Sequence, residues 1–173
     1  IILKQSNKGV KKDKFSAFIY GLFYIKQDED KKKKRRGRDI SKMLFYFSGT
    51  GNSKLVAQHL AMLTQDFSYD MEKCQAQPYV PVTTTSLGFV IPVYAWGLPL
   101  FVENFFRKLL PSILPALPDI TYVYAVFTCG GNIGYADEEL RKLLLSFARL
   151  PLHAVWSVRM PNTYVCMPFY DAD

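Results

Sequence analysis

Cysteine and histidine are scarce in this chain: 173 residues hold three of the first and two of the second. Cys74, Cys129 and Cys166 lie far apart and none belongs to a C-x-x-C pair. Too few ligands remain for a zinc ribbon or an iron–sulfur cluster, so no metal is expected within this chain. An odd, sparse set also argues against a disulfide-stapled scaffold and suits a reducing compartment, which makes the cytoplasm the expected location. His59 and His153 have no serine and carboxylate around them in the order of a hydrolase triad. The sequence has no internal repeat, which excludes a solenoid. The apolar run Phe15–Ile25 is too short for the ~20 residues that span a bilayer, so no membrane span is expected. Against these absences, 49% of residues are hydrophobic and 15% aromatic. Such a chain can bury a sizeable core, and its length fits one domain of ordinary size.

Charge is unevenly placed. The formal charge is +7, yet residues 1–42 alone hold 14 basic and 5 acidic residues, leaving 8 basic and 10 acidic for residues 43–173. Much of the excess lies in Lys31-Lys32-Lys33-Lys34-Arg35-Arg36-Gly37-Arg38, and all ten prolines occur at Pro78 or later. These shifts place a boundary near Met43, the first methionine. Several readings of residues 1–42 compete. One is a basic tail for nucleic acid or an anionic membrane. Another is a signal peptide, since Phe15–Ile25 is an apolar run behind lysines, but no small-x-small cleavage site follows it. The favoured reading is a poorly ordered basic extension that need not belong to the natural translation product. Nucleic acid is therefore not an expected partner of the folded part, which is mildly acidic.

From Met43 the pattern changes. Met43–Phe47 is a short, almost wholly apolar run, as expected of a parallel strand buried on both faces. Leu55, Val56, His59, Leu60 and Leu63 then recur at helical spacing, predicting a helix over 53–64 with His59 packed on its apolar face. Phe67–Met71 reads as a weak strand. Leu87–Val93 reads as a buried strand ended by Pro92, and Pro99–Leu110 as a helix with proline in its first turn. Ile120–Thr128 is a further strand. Ala136–Leu150 reads as an amphipathic helix with Leu140, Leu143, Leu144 and Phe147 on one face, and Leu152–Val158 as a last strand that His153 helps to begin. Strands alternating with helices predict an α/β fold, a doubly wound parallel sheet in three layers. No convincing helix follows the last strand, so the final helix is expected to be missing or the domain truncated.

Ligands of such sheets sit beyond the carboxyl ends of the strands, and three loops there are specialised. The first is Ser48-Gly49-Thr50-Gly51-Asn52-Ser53. Its glycines permit close backbone approach, its hydroxyls and the Asn52 amide are neutral donors, and a helix N-terminus follows at once. These parts suit a phosphate monoester. The loop lacks the Gly-Lys-Ser/Thr ending of a Walker A motif and the third glycine of a dinucleotide fingerprint. The competing reading is an ordinary helix cap. The second loop is Pro92-Val93-Tyr94-Ala95-Trp96-Gly97-Leu98-Pro99, in which Tyr94 or Trp96 offers a face for stacking unless Trp96 merely packs under the next helix. The third is Thr128-Cys129-Gly130-Gly131-Asn132-Ile133-Gly134, whose glycines let backbone wrap a flat ring. Cys129 there is a small polar lining residue or a reactive thiol. The former is favoured because no His or Lys lies near it in sequence.

Phe45–Ser53 resembles the phosphate loop of flavodoxins, and all three loops are most similar to the flavodoxin-like half of flavodoxin–ferredoxin fusion proteins of anaerobic bacteria. The resemblance runs from about Met43 to Asp173. It implies bound FMN, with Ser48, Thr50, Asn52, Ser53 and the backbone of Gly49 and Gly51 on its phosphate. It further implies that the second loop lies against the isoalloxazine ring, with Gly97 letting a peptide reorient toward it, and that Thr128–Gly134 bonds the pyrimidine edge. It implies an electron carrier whose partners are redox proteins, a reductase or a ferredoxin-type protein. This chain has no cysteine cluster, so the iron–sulfur half is not carried over. Two alternatives stay open: an FMN-dependent NAD(P)H:quinone-type oxidoreductase, and a degenerate interaction module. Asp137-Glu138-Glu139 crowds acids into a helix's first turn and is read as capping, not catalysis.

Overall fold

The computed structural model describes residues 3–5, 41–64, 66–74, 84–117 and 120–161. Strand β1 is Leu3–Gln5 and β2 is Ser41–Tyr46, followed by helix α1, Asn52–Thr64. Strand β3, Phe67–Asp70, leads into a one-turn helix α2, Met71–Cys74, and β4 spans Thr84–Pro92. Helix α3, Leu100–Asn104, passes through a π-helical stretch, Phe105–Leu109, into α4, Leu110–Ile113, and a 3₁₀ turn, Leu114–Ala116. Strand β5 is Tyr122–Cys129, α5 is Ala136–Leu143 with a π-helical tail Leu144–Ala148, and β6 is Ala154–Arg159.

The strands form one sheet in the order β1-β6-β5-β4-β2-β3. Strands β2 to β6 are mutually parallel and β1 pairs antiparallel with β6. Counting the parallel strands alone, the order is 2-1-3-4-5, that of the flavodoxin-like doubly wound sheet. The expected α/β class and parallel sheet are thus observed. Of residues 1–42 the structure describes Leu3–Gln5, as the antiparallel edge strand, and Ser41 and Lys42, which open β2 two residues before the boundary expected at Met43. The rest of the basic extension, and residues 162–173 where a final helix was expected to be missing, lie outside the described residues.

Alternation along the central strands divides the core in two. Phe45, Leu87, Phe89, Ile91, Val123, Ala125 and Phe127 face α3, α4 and α5. Leu44, Tyr46, Val90, Tyr124, Val126 and Val158 share the opposite cluster with α1. Both faces of β4 and β5 are buried, which is why these strands read as continuous apolar runs. On the first face, Phe45 stacks on Phe89 at 6.1 Å and meets Phe105 at 5.4 Å, while Phe89 meets Phe106 edge-on at 4.8 Å. Gly88 is opposite Tyr124 across β4 and β5. A Cβ there would collide with the Tyr124 ring and with Leu44, so this glycine is the gap that admits a buried tyrosine. Burial raises the Tyr124 hydroxyl pKa above its ordinary value.

Three expectations about packing are corrected. The buried stripe of α1 is Ser53, Ala57, Leu60, Ala61 and Thr64. Leu55 is 48% exposed and Leu63 45%. Small residues let the helix lie close to the sheet, and the larger apolar side chains are turned outward. His59 is exposed, its Nδ1 3.0 Å from the Leu55 carbonyl. Phe147 is 39% exposed and carries the Arg107 guanidinium 5.1 Å from its ring centre. The helix expected to end near Leu110 continues through Pro111. Proline has no N–H and its ring crowds the carbonyl four residues back. The π-helical stretch just before it is where that break is absorbed. His153 stands just before β6: its N–H donates to the Val123 carbonyl at 2.9 Å, its Nδ1 accepts from Val123 N–H at 3.0 Å, and its ring stacks on Tyr122. It is a structural brace.

Phe105→Ala is expected to cost about 3–5 kcal/mol, the range for truncating a buried aromatic. Phe147→Ala is expected to cost about 1 kcal/mol or less, the worth of an exposed cation–π contact. Urea denaturation of both variants checks the contrast. Equal losses would contradict the assignment of the core to the Phe45–Phe89–Phe105–Phe106 cluster.

Candidate functional site

The first loop is shaped by its own side chains before any ligand is considered. Gly51 has φ +98°, a conformation that disfavours any residue with a Cβ. Its N–H donates to Ser48 Oγ at 3.0 Å, and its carbonyl accepts from Leu55 N–H at 2.9 Å, starting α1. The first-turn N–H groups of α1 have no partner within the helix, and that turn contains no acidic residue. The result is a loop whose free donors and positive helix end face the same way. The Ser48 hydroxyl, while accepting from Gly51, keeps its own proton to donate.

A buried hydroxyl pair joins this loop to the third. Ser53 Oγ and Thr128 Oγ1 are 2.8 Å apart, and the two residues are 1% and 4% exposed. The Ser53 side chain is therefore committed to a cross-link between α1 and β5. Asn52 Nδ2 donates to the Pro161 carbonyl at 3.2 Å, tying the loop to the chain that leaves β6.

The second loop is a tight hairpin. Tyr94 and Gly97 exchange both backbone hydrogen bonds, each 3.0 Å, around Ala95 at φ 47° and Trp96 at φ 63°. The positive angles fall on Ala95 and Trp96, whereas the family resemblance placed the flexible peptide at Gly97. Gly97 serves a close approach: a Cβ there would lie 2.9 Å from Glu139 Oε2. Tyr94 leans over the first loop, where a Cβ on Gly49 would collide with its hydroxyl, and it meets Phe47 edge-on at 6.4 Å.

In the third loop, Gly134 at φ 56° donates its N–H to Asn132 Oδ1 at 3.0 Å. A Cβ at Gly134 would collide with Trp96, while one at Gly131 would meet only open space. The Gly130 carbonyl accepts from Arg159 Nε at 2.8 Å. Burial raises the Cys129 thiol pKa, and the Arg159 charge only partly opposes this. The thiol is thus held in its unreactive form.

The three loops converge on one cavity of about 440 Å³. From the first loop it is lined by Ser48, Gly49, Thr50, Asn52 and Ser53; from the second by Pro92, Val93, Tyr94 and Ala95; from the third by Thr128, Cys129 and Gly130. Met160 and Pro161 complete the wall. Of the residues expected from sequence, Gly51, Trp96, Gly97, Gly131 and Gly134 do not line it. Gly51 shapes the first loop, Gly97 and Gly134 are contact gaps in the frame, and Trp96 is 66% exposed at the rim. Met160 and Pro161 were not anticipated, and Val93 was placed in the second loop with no role assigned to it. The end of the last strand is itself a strand carboxyl end, and that rule applied to β6 would have found Met160 and Pro161. The lining has no Asp, Glu, Lys, Arg or His. Among the described residues no cluster of His, Cys, Asp or Glu could hold a metal ion, and no helix is long and apolar enough to cross a membrane.

No family profile and no curated protein matches this sequence. Solved structures do. The rubredoxin:oxygen oxidoreductase of the anaerobe Desulfovibrio gigas superposes with a TM-score of 0.53 at 13% identity, over 72% of this chain and 31% of that one. The chain thus spans under a third of that protein's length. Candidate flavoproteins from Bacteroides eggerthii and Bacteroides uniformis give TM-scores of 0.48 and 0.45, each at 13% identity over 72% of this chain, and over 91% and 92% of their own. At these identities the likeness is one of fold.

Ser53→Ala leaves the Thr128 hydroxyl buried without its partner and is expected to cost about 1–3 kcal/mol. Adding Thr128→Val removes the orphaned group and should recover part of that loss. Thermal or urea unfolding of the two variants checks this. A double variant no more stable than Ser53→Ala would contradict the cross-link.

Proposed function

We propose that the cavity binds FMN and that the protein carries electrons through it. The observation that carries this reading is the convergence of a hydroxyl-rich loop at a helix N-terminus with a tight hairpin and a glycine-rich loop. They meet in one cavity beside the reversal of strand order. A volume of about 440 Å³ falls in the roughly 300–1,000 Å³ range of small-molecule sites. The donor set also fits. The Ser48 and Thr50 hydroxyls and the first-turn N–H groups of α1 would hold a phosphate without a lysine or arginine in the lining. Tyr94 is the aromatic residue of the second loop that reaches the cavity, so it, and not Trp96, is assigned the ring contact.

FMN, when bound, supplies reversible electron transfer. The chain's own part is to bind, orient and tune. Uncharged hydroxyls and amides around the phosphate leave its negative charge unneutralised, which disfavours further negative charge on the ring and lowers its potential. The lining carries no carboxylate, imidazole or amine to relay protons, which favours a carrier between separate redox proteins over a reductase acting directly on a quinone. Such partners are a reductase or a ferredoxin-type protein. Unpaired Cys74 and Cys129 are in keeping with a reducing, cytoplasmic setting.

Flavin fluorescence titration of the purified chain tests the reading. FMN is expected to bind about tenfold or more tightly than riboflavin, which lacks the phosphate, each factor of ten being about 1.4 kcal/mol. Thr50→Asp sets a carboxylate against the phosphate and should weaken FMN by a similar factor while leaving riboflavin nearly unchanged. Equal affinity for both flavins, or binding of neither, would overturn the assignment. Steady NAD(P)H oxidation by the isolated protein would turn the carrier into a reductase.

A further inference from the structure

The second loop is held in a shape that its own residues disfavour. Ala95 and Trp96 both sit at positive φ, where Cβ crowds the following carbonyl. A two-residue turn of this hand is ordinarily made from Asn and Gly. Nothing within the turn relieves the strain, so it must be held from outside. Two contacts do this, and both come from the segment that opens α5. Tyr135 N–H donates to the Trp96 carbonyl at 2.8 Å. Glu139 Oε2 accepts from Leu98 N–H at 2.8 Å. The second spans 41 positions of sequence and passes over Gly97, where a Cβ would crowd the carboxylate. Leu98 is itself buried, so without the carboxylate its N–H would be orphaned.

We propose that Glu139 is a positioning residue for the flavin cavity: its carboxylate fixes the Tyr94–Gly97 hairpin, and with it the Tyr94 ring and Ala95 that line the cavity. The inference rests on the FMN reading above. It goes beyond the role in helix capping that the acidic run Asp137-Glu138-Glu139 suggests. All three acids favour the helix dipole, but the hydrogen bond to the second loop belongs to Glu139.

Amide hydrogen exchange of the flavin-free chain, read by NMR, tests the clamp without any cofactor. Glu139→Ala is expected to speed exchange at Leu98 by about tenfold or more, the loss of a hydrogen bond to a charged group, and to speed Gly97 with it. The amide of Val126, deep in β5, should be unchanged. Glu138→Ala removes the same charge from the same helical turn and should leave Leu98 protected. Glu139→Gln keeps an acceptor oxygen and should restore most of the protection. If Glu139→Ala fails to fold, Glu139→Asp, one methylene too short, takes its place. In flavin titrations Glu139→Ala is expected to raise the FMN dissociation constant about tenfold, and Glu138→Ala to leave it unchanged. Undiminished protection at Leu98 in Glu139→Ala overturns the clamp. Loosened amides with an unaltered FMN affinity overturn the positioning role. A wild-type chain that binds no FMN, yet shows the exchange pattern, overturns the functional reading while supporting the clamp.

Discussion

The parallel pairing of β2 with β4, which sets Phe45 beside Phe89 and Tyr46 beside Val90, fixes where the sheet turns back on itself. From β2 the chain goes to β3 on one side and then returns to build β4, β5 and β6 on the other. The helices that follow β2 and β4 must therefore lie on opposite faces, and the loops above that pair diverge and leave a crevice. Buried aromatic rings on one face and the small-residue stripe of α1 on the other leave those strands little freedom to slip. Each loop that leaves a strand end inherits its position from that pairing.

Within the crevice, the parts are cross-braced. The Ser53–Thr128 hydroxyl pair joins the first loop to the third, Val93 N–H to the Thr128 carbonyl joins the second to the third, and the Asn52 amide reaches the chain beyond β6. Such bracing is what a site for a rigid, flat ligand needs, because it removes the ordering cost of binding in advance. In the loops that form the crevice, the residues other than glycine at positive φ are Ala95 and Trp96, in the turn that contacts from α5 hold in place.

Much of this was legible in the sequence. An apolar run of five residues feeding straight into Ser48–Ser53 announced both β2 and the loop, and glycine-rich Thr128–Gly134 announced the third. What was not legible has physical reasons. Leu55 and Leu63 dominate any hydrophobic pattern on α1, yet Ala57 and Ala61 make the contact, because closeness to the sheet outweighs apolar bulk there. Nothing in Tyr94-Ala95-Trp96-Gly97 announces a left-handed turn, since the clamp that enforces it lies at Tyr135 and Glu139. Trp96 looked the equal of Tyr94 as a stacking residue, and only the turn's geometry sends one ring to the cavity and the other to the rim. The excess positive charge, finally, belongs to residues 1–42 and says little about a cavity whose lining is uncharged.

The central claim is that the three loops form a single FMN site. Its most direct test is to add FMN to the ¹⁵N-labelled chain and map the amide shifts. The account predicts changes concentrated at residues 48–53, 93–95 and 128–130 and at Met160, with the outer surface of α1 around Met62 silent. Shifts scattered over other surfaces, or confined to one loop, would contradict it.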